Sequence, residues 1–514
     1  MSALLLRLAA DDDVAIARTA VRDGDEVAVP DGPRLTCPGP VPAGHKVALH
    51  DLAAGSPVRK YGHVIGVTTR DIRAGEHVHE HNLGMPEAVD TSPTGRTASP
   101  AVPPRPELPA GIRRTFDGFR RPGGTVGTRN YIGVLTTVNC SATVARQIAR
   151  RTEDQVLADH PGAVDGVIAL THGTGCGMAS RGEGWDVLRR TLRGYARHPN
   201  LGGLLVVGLG CEVNDLRTLT AGLGTDPALP VCSFTIQDSG GTAAAVAHGV
   251  DRVRAMAADL GGAVREEADV SHLVLGLKCG GSDAWSGLTA NPALGVASDL
   301  LVAAGGTSVL AETPEIHGAE RLLVERAVHP EVANALLERV HWWSAYAERS
   351  GTTLDGNPSP GNRAGGITTI LEKSLGAVAK SGHAPLEAVC RYAEEIPGPG
   401  LVFMDTPGYD PVSVTGMVAG GANLICFTTG RGSVFGSRPA PTVKLATNAD
   451  LARRMPDDLD LDCSGILEAG TGVDEMGRRV YDLLLDVASG RRTRSEALGL
   501  GGEEFVPWQI GAVL

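Results

Sequence analysis

The stretch that decides the fold is HLVLGLKCGGSDAWSGLTANPALGVASDLLVAAGG, residues 272–306. Its first residues are apolar on both faces, as strands buried in a parallel sheet are. A loop follows with Lys278, Cys279, two glycines, Ser282 and Asp283. Asn291 before Pro292 predicts an N-cap with proline at the first helical position, and the helix then runs to a closing glycine. Strand, polar loop and helix make one α/β unit. Helix N-termini favour anions, so a carboxylate suits this loop. Lys278 adds positive charge, and Ser282 and Asp283 suit hydroxyl or metal contacts. The same Ser and Asp are also ordinary turn formers.

The unit recurs on both sides. IGVLTTV (132–138), GVIALTH (166–172), GGLLVVGLG (202–210) and TSVLAET (307–313) read as buried parallel strands, with helical stretches between them. GLVFMDTP (400–407), ANLICFTTG (422–430) and PTVKLATN (441–448) suggest a smaller α/β unit at the C-terminal end. Upstream the pattern differs: residues 1–83 read as short strands broken by turns, a small all-β domain. Seven prolines then fall between Pro86 and Pro109. That composition predicts a flexible linker over 84–111, averaging about 30 Å end to end. The expected domains are 1–83, 84–111 as linker, 112–395 and 396–514. Nearly every strand of the α/β part ends in polar or glycine-rich residues, and ligands of open α/β sheets sit outside those ends.

The formal net charge of −12, with no basic block, argues against nucleic acid. No apolar run reaches the ~18–20 residues of a membrane span, and Arg7 interrupts the only signal-like start. A cytoplasmic protein without a membrane partner is expected. Nine cysteines, none closer than 21 residues to the next, signal neither disulfides nor a C-x-x-C knuckle. Cys140, Cys176, Cys211 and Cys279 lie at strand ends and can hold an iron–sulfur cluster only if they converge. Their wide spacing makes that cluster an outcome the sequence does not predict.

Other stretches carry chemistry. TTGRGSVFGS (428–437) places Arg431 between two glycines, a cradle for carboxylate or phosphate or simply a turn, without a Walker or dinucleotide fingerprint. NPSPGNRAGGITTILEKSLG (357–376) exposes amides suited to hydroxyl recognition, and its Glu372–Lys373 reads equally as a solvated helix face. EHVHEHN places His77, His79 and His81 on one face if it is a strand, with His45 as a further imidazole for a divalent ion. His172 and His317 are additional candidates.

These strings, together with GHKVAL, KYGHVIG, RPGGTVGTRNYI, TTVNCSA, GLGCE, GGTSVLAETPEIHGAE, PTVKLATN and FVPWQIGAVL, resemble the altronate/galactarate dehydratase family of sugar-acid lyases. The likeness covers nearly the whole chain, and the small domain is similar to the family's SAF-type β-clip domain. The resemblance implies dehydration of an altronate-type aldonate or related aldarate to a 2-keto-3-deoxy acid, assisted by Fe²⁺ or Mn²⁺, in a homo-oligomer. It points to His45, His79, Lys278 and Asp283 as catalytic, and to Lys60, Tyr61, Ser282, Asn357, Asn362, Thr429, Arg431 and Lys444 as substrate-binding. His79, His81, His172, Cys176 and Glu312 are the metal-ligand candidates. Two other readings stand beside this one: a carbon–sulfur lyase acting on sulfolactate, and a non-catalytic sugar-acid-binding protein.

Overall fold

The computed structural model describes residues 3–29, 32, 34–86, 102–221 and 230–511. The small N-terminal domain is all-β, as expected. Short strands form a six-stranded and a three-stranded sheet around two apolar clusters. Leu375, from the helix Ile370–Val378 of the large part, packs into the second of these clusters. The small domain is therefore seated on the body rather than hanging from it.

The expected linker lies outside the described residues over 87–101. Its tail is not free: Arg105 pairs with Glu387, and Leu108 packs against the body core.

The body contains two parallel sheets. The first has four strands in the order Gly166–Leu170, Tyr131–Thr136, Leu201–Gly208, Val231–Thr235. The second has seven, in the order Leu386–Cys390, Gly400–Met404, Thr307–Ala311, Val274–Cys279, Leu424–Thr429, Thr442–Ala446, Leu461–Asp462. The expected boundary at 395/396 falls inside this second sheet. Strands beyond it pair directly with Val274–Cys279, so the C-terminal segment completes a sheet begun at 274. Alternating strand and helix signals do not reveal which strands pair, and this is why the sequence suggested a separate unit.

One apolar cluster draws on both sheets, with Leu135 and Ile168 from the first, Val309 and Val402 from the second, and residues of the helices Glu183–Ala196 and Asp410–Ala419. Arg129, almost fully buried, ties the parts further by pairing with Glu496 and donating to the carbonyls of Val487 and Arg491. No helix among the described residues is long and apolar enough to cross a membrane.

Candidate active site

The opening stretch folds as strand, loop and helix, with the helix spanning Ala290–Ala303 and Thr289 as its N-cap. Asn291 is inside the helix and does not cap it. Its amide donates to the Gly376 carbonyl (2.8 Å), and its side-chain oxygen accepts from Thr428 (2.6 Å). Asp283 is the hub of the preceding loop. It accepts from the backbone of Trp285 and Ser286 and from the side chains of Ser286, Thr447 and Asn448, at 2.8–3.1 Å. Gly430 has no alternative here, because a Cβ would stand 2.1 Å from the Asp283 carboxyl carbon. With both oxygens occupied, Asp283 holds the loop's shape.

The seam between the small domain and the body is built on one helix. Thr369 caps Ile370–Val378 and also donates to the Ile65 carbonyl of the small domain. The next turn buries Glu372 and Lys373, so the solvated-face reading does not hold. Glu372 accepts from Lys46 (2.8 Å) and Lys60 (2.7 Å), both fully buried. Lys46 also donates to the Gly366 carbonyl (2.8 Å). Gly366 is left-handed at φ 97°, and a Cβ there would meet the Gly44 carbonyl at 2.6 Å, so only glycine lets the two backbones approach. Burial raises the Glu372 carboxyl, but the two ammonium groups overcome it and hold it down at about 2. One carboxylate cannot balance two cations equally. Burial draws Lys46 down to about 8, whereas Glu372 outweighs the same burial at Lys60 and raises it.

Beside this triad stand the histidines. Only His77 lies in a strand, the two-residue His77–Val78, and the chain then turns at Asn82. The strand alternation expected for EHVHEHN is absent, yet the rings still gather. Ligand nitrogens of His45, His77 and His79 lie within 4.8 Å of one another, and His45 Nδ1 is 3.0 Å from His77 Nε2. His81 is exposed, with its ring against that of His77, and lies outside the trio. His79 Nδ1 is tied to Thr368 Oγ1 at 2.9 Å, which leaves Nε2 for chemistry. Burial and then the neighbouring imidazoles push His77 down to about 3; burial and Lys46 push His79 down to about 4. The three rings are neutral at ordinary pH, the form in which imidazole ligates a metal.

A second trio, Cys279, Glu312 and Glu315, closes within the same 4.8 Å. It sits at the carboxyl ends of Val274–Cys279 and Thr307–Ala311, and its surroundings are charged. Lys278 pairs with Glu312 and with Asp410 (2.8 Å), and Lys373 pairs with Glu315 (2.8 Å). Lys380 lies 2.9 Å from the Cys279 sulfur and 3.8 Å from Glu312. Asn357 bridges Glu315 and Lys373. Burial and the adjacent Glu315 push Glu312 up to about 7 against the pull of Lys278. Glu315, raised by burial, is drawn down to about 2 by Lys373 and its fellow lysines. Burial opposes the charge on Lys278, but Asp410 and Glu312 raise it well above the ordinary lysine value. Three ammonium groups thus already balance this trio, and a metal ion would have to join them. A divalent ion fits the imidazole trio better, since imidazole nitrogens suit iron and the nearest cation, Lys46, is already held by Glu372.

Two spaces lie here. An enclosed cavity of about 10 Å³, lined by Lys60, Tyr61, Ser282, Asp283 and Lys373 among others, holds one water at most. An open cleft of about 610 Å³, lined by His79, Glu80, Pro358, Arg363 and Ala364, is of ligand size. Across it Arg363 pairs with Glu80 at 3.0 Å.

The remaining expected residues are elsewhere or already engaged. Asn362 forms a capping box with Ser359 and donates to the Ser282 carbonyl. Lys444 donates to the Ser433 carbonyl within the second sheet, and Thr429 accepts from the Gly432 backbone. Arg431 is exposed, and its backbone bonds to Gly281. His172 lies outside both close-packed trios, and both its ring nitrogens are engaged. Nε2 donates to the Thr136 carbonyl and Nδ1 meets Thr174. Cys176 lies in the loop after the first-sheet strand Gly166–Leu170 and belongs to neither close-packed trio. His317 stands near Glu320 (3.9 Å). Lys46, Glu315, Lys380, Asp410 and Arg363 were not singled out from the sequence. Lys46 follows His45, Glu315 sits within ETPEIHG and Arg363 within GNRAGG, so those motifs carried the signal.

Comparison with known proteins agrees with this organisation. The D-galactarate/altronate dehydratase C-terminal family model matches residues 270–513, the second-domain model 118–261 and the family's SAF-domain model 3–86. The chain is 37% identical to altronate dehydratase of Escherichia coli over 96% of both chains. It is 37% identical to the galactarate dehydratase (L-threo-forming) of the same organism, over 90% of this chain and 88% of that one. A (2R)-sulfolactate sulfo-lyase subunit beta of Chromohalobacter salexigens is 34% identical over 76% of this chain and 97% of its own. With its body and its seam accounted for in this way, the chain belongs to the altronate/galactarate dehydratase family, and its relatives named altronate and galactarate dehydratase are hydro-lyases.

Proposed function

We propose that this chain dehydrates a sugar acid, an altronate-type aldonate or related aldarate, to a 2-keto-3-deoxy acid. The reaction takes place in the cleft beside His79. The observation that carries the reading is the pairing of a ligand-sized cleft with a neutral imidazole trio and a guanidinium at its wall. The relatives named altronate and galactarate dehydratase give the substrate class, and their equal identities leave the particular acid to experiment.

His45, His77 and His79 would hold a divalent ion, Fe²⁺ or Mn²⁺. When bound, the ion supplies the positive charge that stabilises an enolate and a leaving hydroxyl. Arg363 receives the substrate carboxylate through its planar fork. In doing so the substrate displaces Glu80 from Arg363, and Glu80 is the only carboxylate lining the cleft among the described residues. Glu80 then takes the α-proton and returns a proton to the departing 3-hydroxyl. The carbon–oxygen bond breaks, water leaves, and the enol tautomerises to the keto acid. Thr368 fixes the His79 ring through Nδ1, and the Lys46–Glu372–Lys60 triad keeps the small domain in place. Lys278 and Asp283 act as positioning groups, Lys278 through its pairs with Glu312 and Asp410 and Asp283 through the loop it holds.

The test is anaerobic incubation of the protein with Fe²⁺, Mn²⁺ or a chelator against aldonates, aldarates and sulfolactate, assaying keto acid and sulfite. Metal-dependent keto acid from a sugar acid is expected. The His79→Ala protein should be folded and without turnover. Sulfite from sulfolactate with no keto acid from any sugar acid would favour the carbon–sulfur lyase reading.

A further inference from the structure

Three thiols remain unused by the seam. Of the nine cysteines, Cys140, Cys176 and Cys211 are the exposed ones, although free cysteine is among the most buried residue types. They leave the carboxyl ends of three adjacent strands of the first sheet, Tyr131–Thr136, Gly166–Leu170 and Leu201–Gly208. The loops that carry them are knitted together. Asn139 N–H donates to the Thr174 carbonyl (2.9 Å), Asn214 N–H to the Gly175 carbonyl (3.1 Å), and the Asn214 amide to the Thr137 carbonyl (2.9 Å). Gly175 is left-handed at φ 97°, and a Cβ there would stand 2.3 Å from the Thr137 oxygen, so the first two loops are pressed together.

Two other potential ligands in these loops are already engaged. Both nitrogens of His172 are bonded, as described above. Glu212 accepts from Thr137 and from the backbone of Leu209 and Gly210. What remains is three thiols, the donor set of iron–sulfur centres and of soft metal ions. A single ion does not fit: with Zn–S near 2.3 Å, tetrahedral ligands must crowd closely. Among the described residues, the trios that close within 4.8 Å are His45–His77–His79 and Cys279–Glu312–Glu315, so these sulfurs stand wider apart. A polynuclear cluster spans such a gap. The helix Ala142–Asp159 begins two residues after Cys140 with no acidic residue in its first turn, and its N-terminus favours the net negative charge of a thiolate-bound cluster.

We propose that Cys140, Cys176 and Cys211 hold a four-iron, four-sulfur cluster. Three protein ligands leave one iron open to solvent or to a small oxygen ligand. The sequence hid this site because 36 and then 35 residues separate the thiols, and only the parallel sheet brings their loops together. The site stands independently of the reading of the seam.

The test is anaerobic reconstitution of the full chain with ferrous iron and sulfide, measuring iron, acid-labile sulfide and visible absorbance. About four sulfide per chain are expected, with about four iron beyond the single ion the seam takes up. The sulfide and its four iron should be lost in Cys140→Ser, Cys176→Ser and Cys211→Ser, and kept in Cys232→Ser. Loaded protein should also protect these three thiols from alkylation, a readout that needs no variant. Iron uptake without labile sulfide, no uptake at all, a triple Ser variant that keeps its cluster, or thiols that alkylate equally fast when loaded would each overturn the proposal.

Discussion

The imidazole trio and the Cys279–Glu312–Glu315 trio are equally tight, both closing within 4.8 Å, yet they are electrostatic opposites. The first consists of neutral rings whose main neighbouring cation is already held. The second is a lattice of carboxylates and ammonium groups in near balance. Proximity alone marks both as metal sites; the charge around them separates a site that can take a cation from one that supplies its own. The helix Ile370–Val378 joins the two, since Glu372 serves the seam and its neighbour Lys373 serves the lattice.

The sharpest way to break this comparison is Glu315→Gln. It leaves buried Lys373 without its counter-charge and should destabilise the protein by about 3–5 kcal/mol in denaturant unfolding. Metal affinity should be unchanged, and a parallel loss of both would merge the two trios into one site. Acid unfolding probes the carboxylates next. Glu315 and Glu372 are held at about 2, so the unfolded chain binds protons more tightly than the fold does. Their contribution, on the order of 3 kcal/mol each, is full above about pH 4.5 and fades as pH falls toward 2. Glu312, raised to about 7, has the opposite sign: its contribution is present below pH 4.5 and is lost as pH rises through 7. Stability that is flat from pH 5 to 2 would contradict the lattice as described.

Arg363→Lys replaces a planar fork with a point charge. It should raise KM for the sugar acid, with up to about 1.5–3 kcal/mol of binding lost, while kcat changes less. An unchanged KM would remove the cleft from the account. The mildest variant is Thr368→Val, which frees the His79 ring without touching the trio. Disturbing such an outer partner typically costs 10–100-fold in metal affinity, about 1.4–2.7 kcal/mol, and little stability is expected to be lost.

Much of the fold was legible because it is local. The all-β start, the buried parallel strands and the polar strand ends all appear in runs of seven to nine residues. Sheet membership was not legible: the pairing of Val274–Cys279 with Leu424–Thr429 is written in no single stretch. The site divides in the same way. His45 and His79 lie in motifs that stand out, so they were found. The Lys46–Glu372 pair spans 326 positions, and a charged helix residue looks solvated until the small domain covers it. Asn291 shows the reverse error: its local capping signal was sound, but Gly376 and Thr428 claim the side chain.

The most direct measurement is Mn²⁺ binding to the full chain, followed by calorimetry and by the spin resonance of the free ion. Mn²⁺ prefers oxygen and nitrogen to thiolate donors, so the exposed cysteines compete little. The account expects one ion per chain, lost in His77→Ala and retained in Glu315→Gln. Binding that survives His77→Ala and disappears in Glu315→Gln would place the metal in the lattice and contradict it.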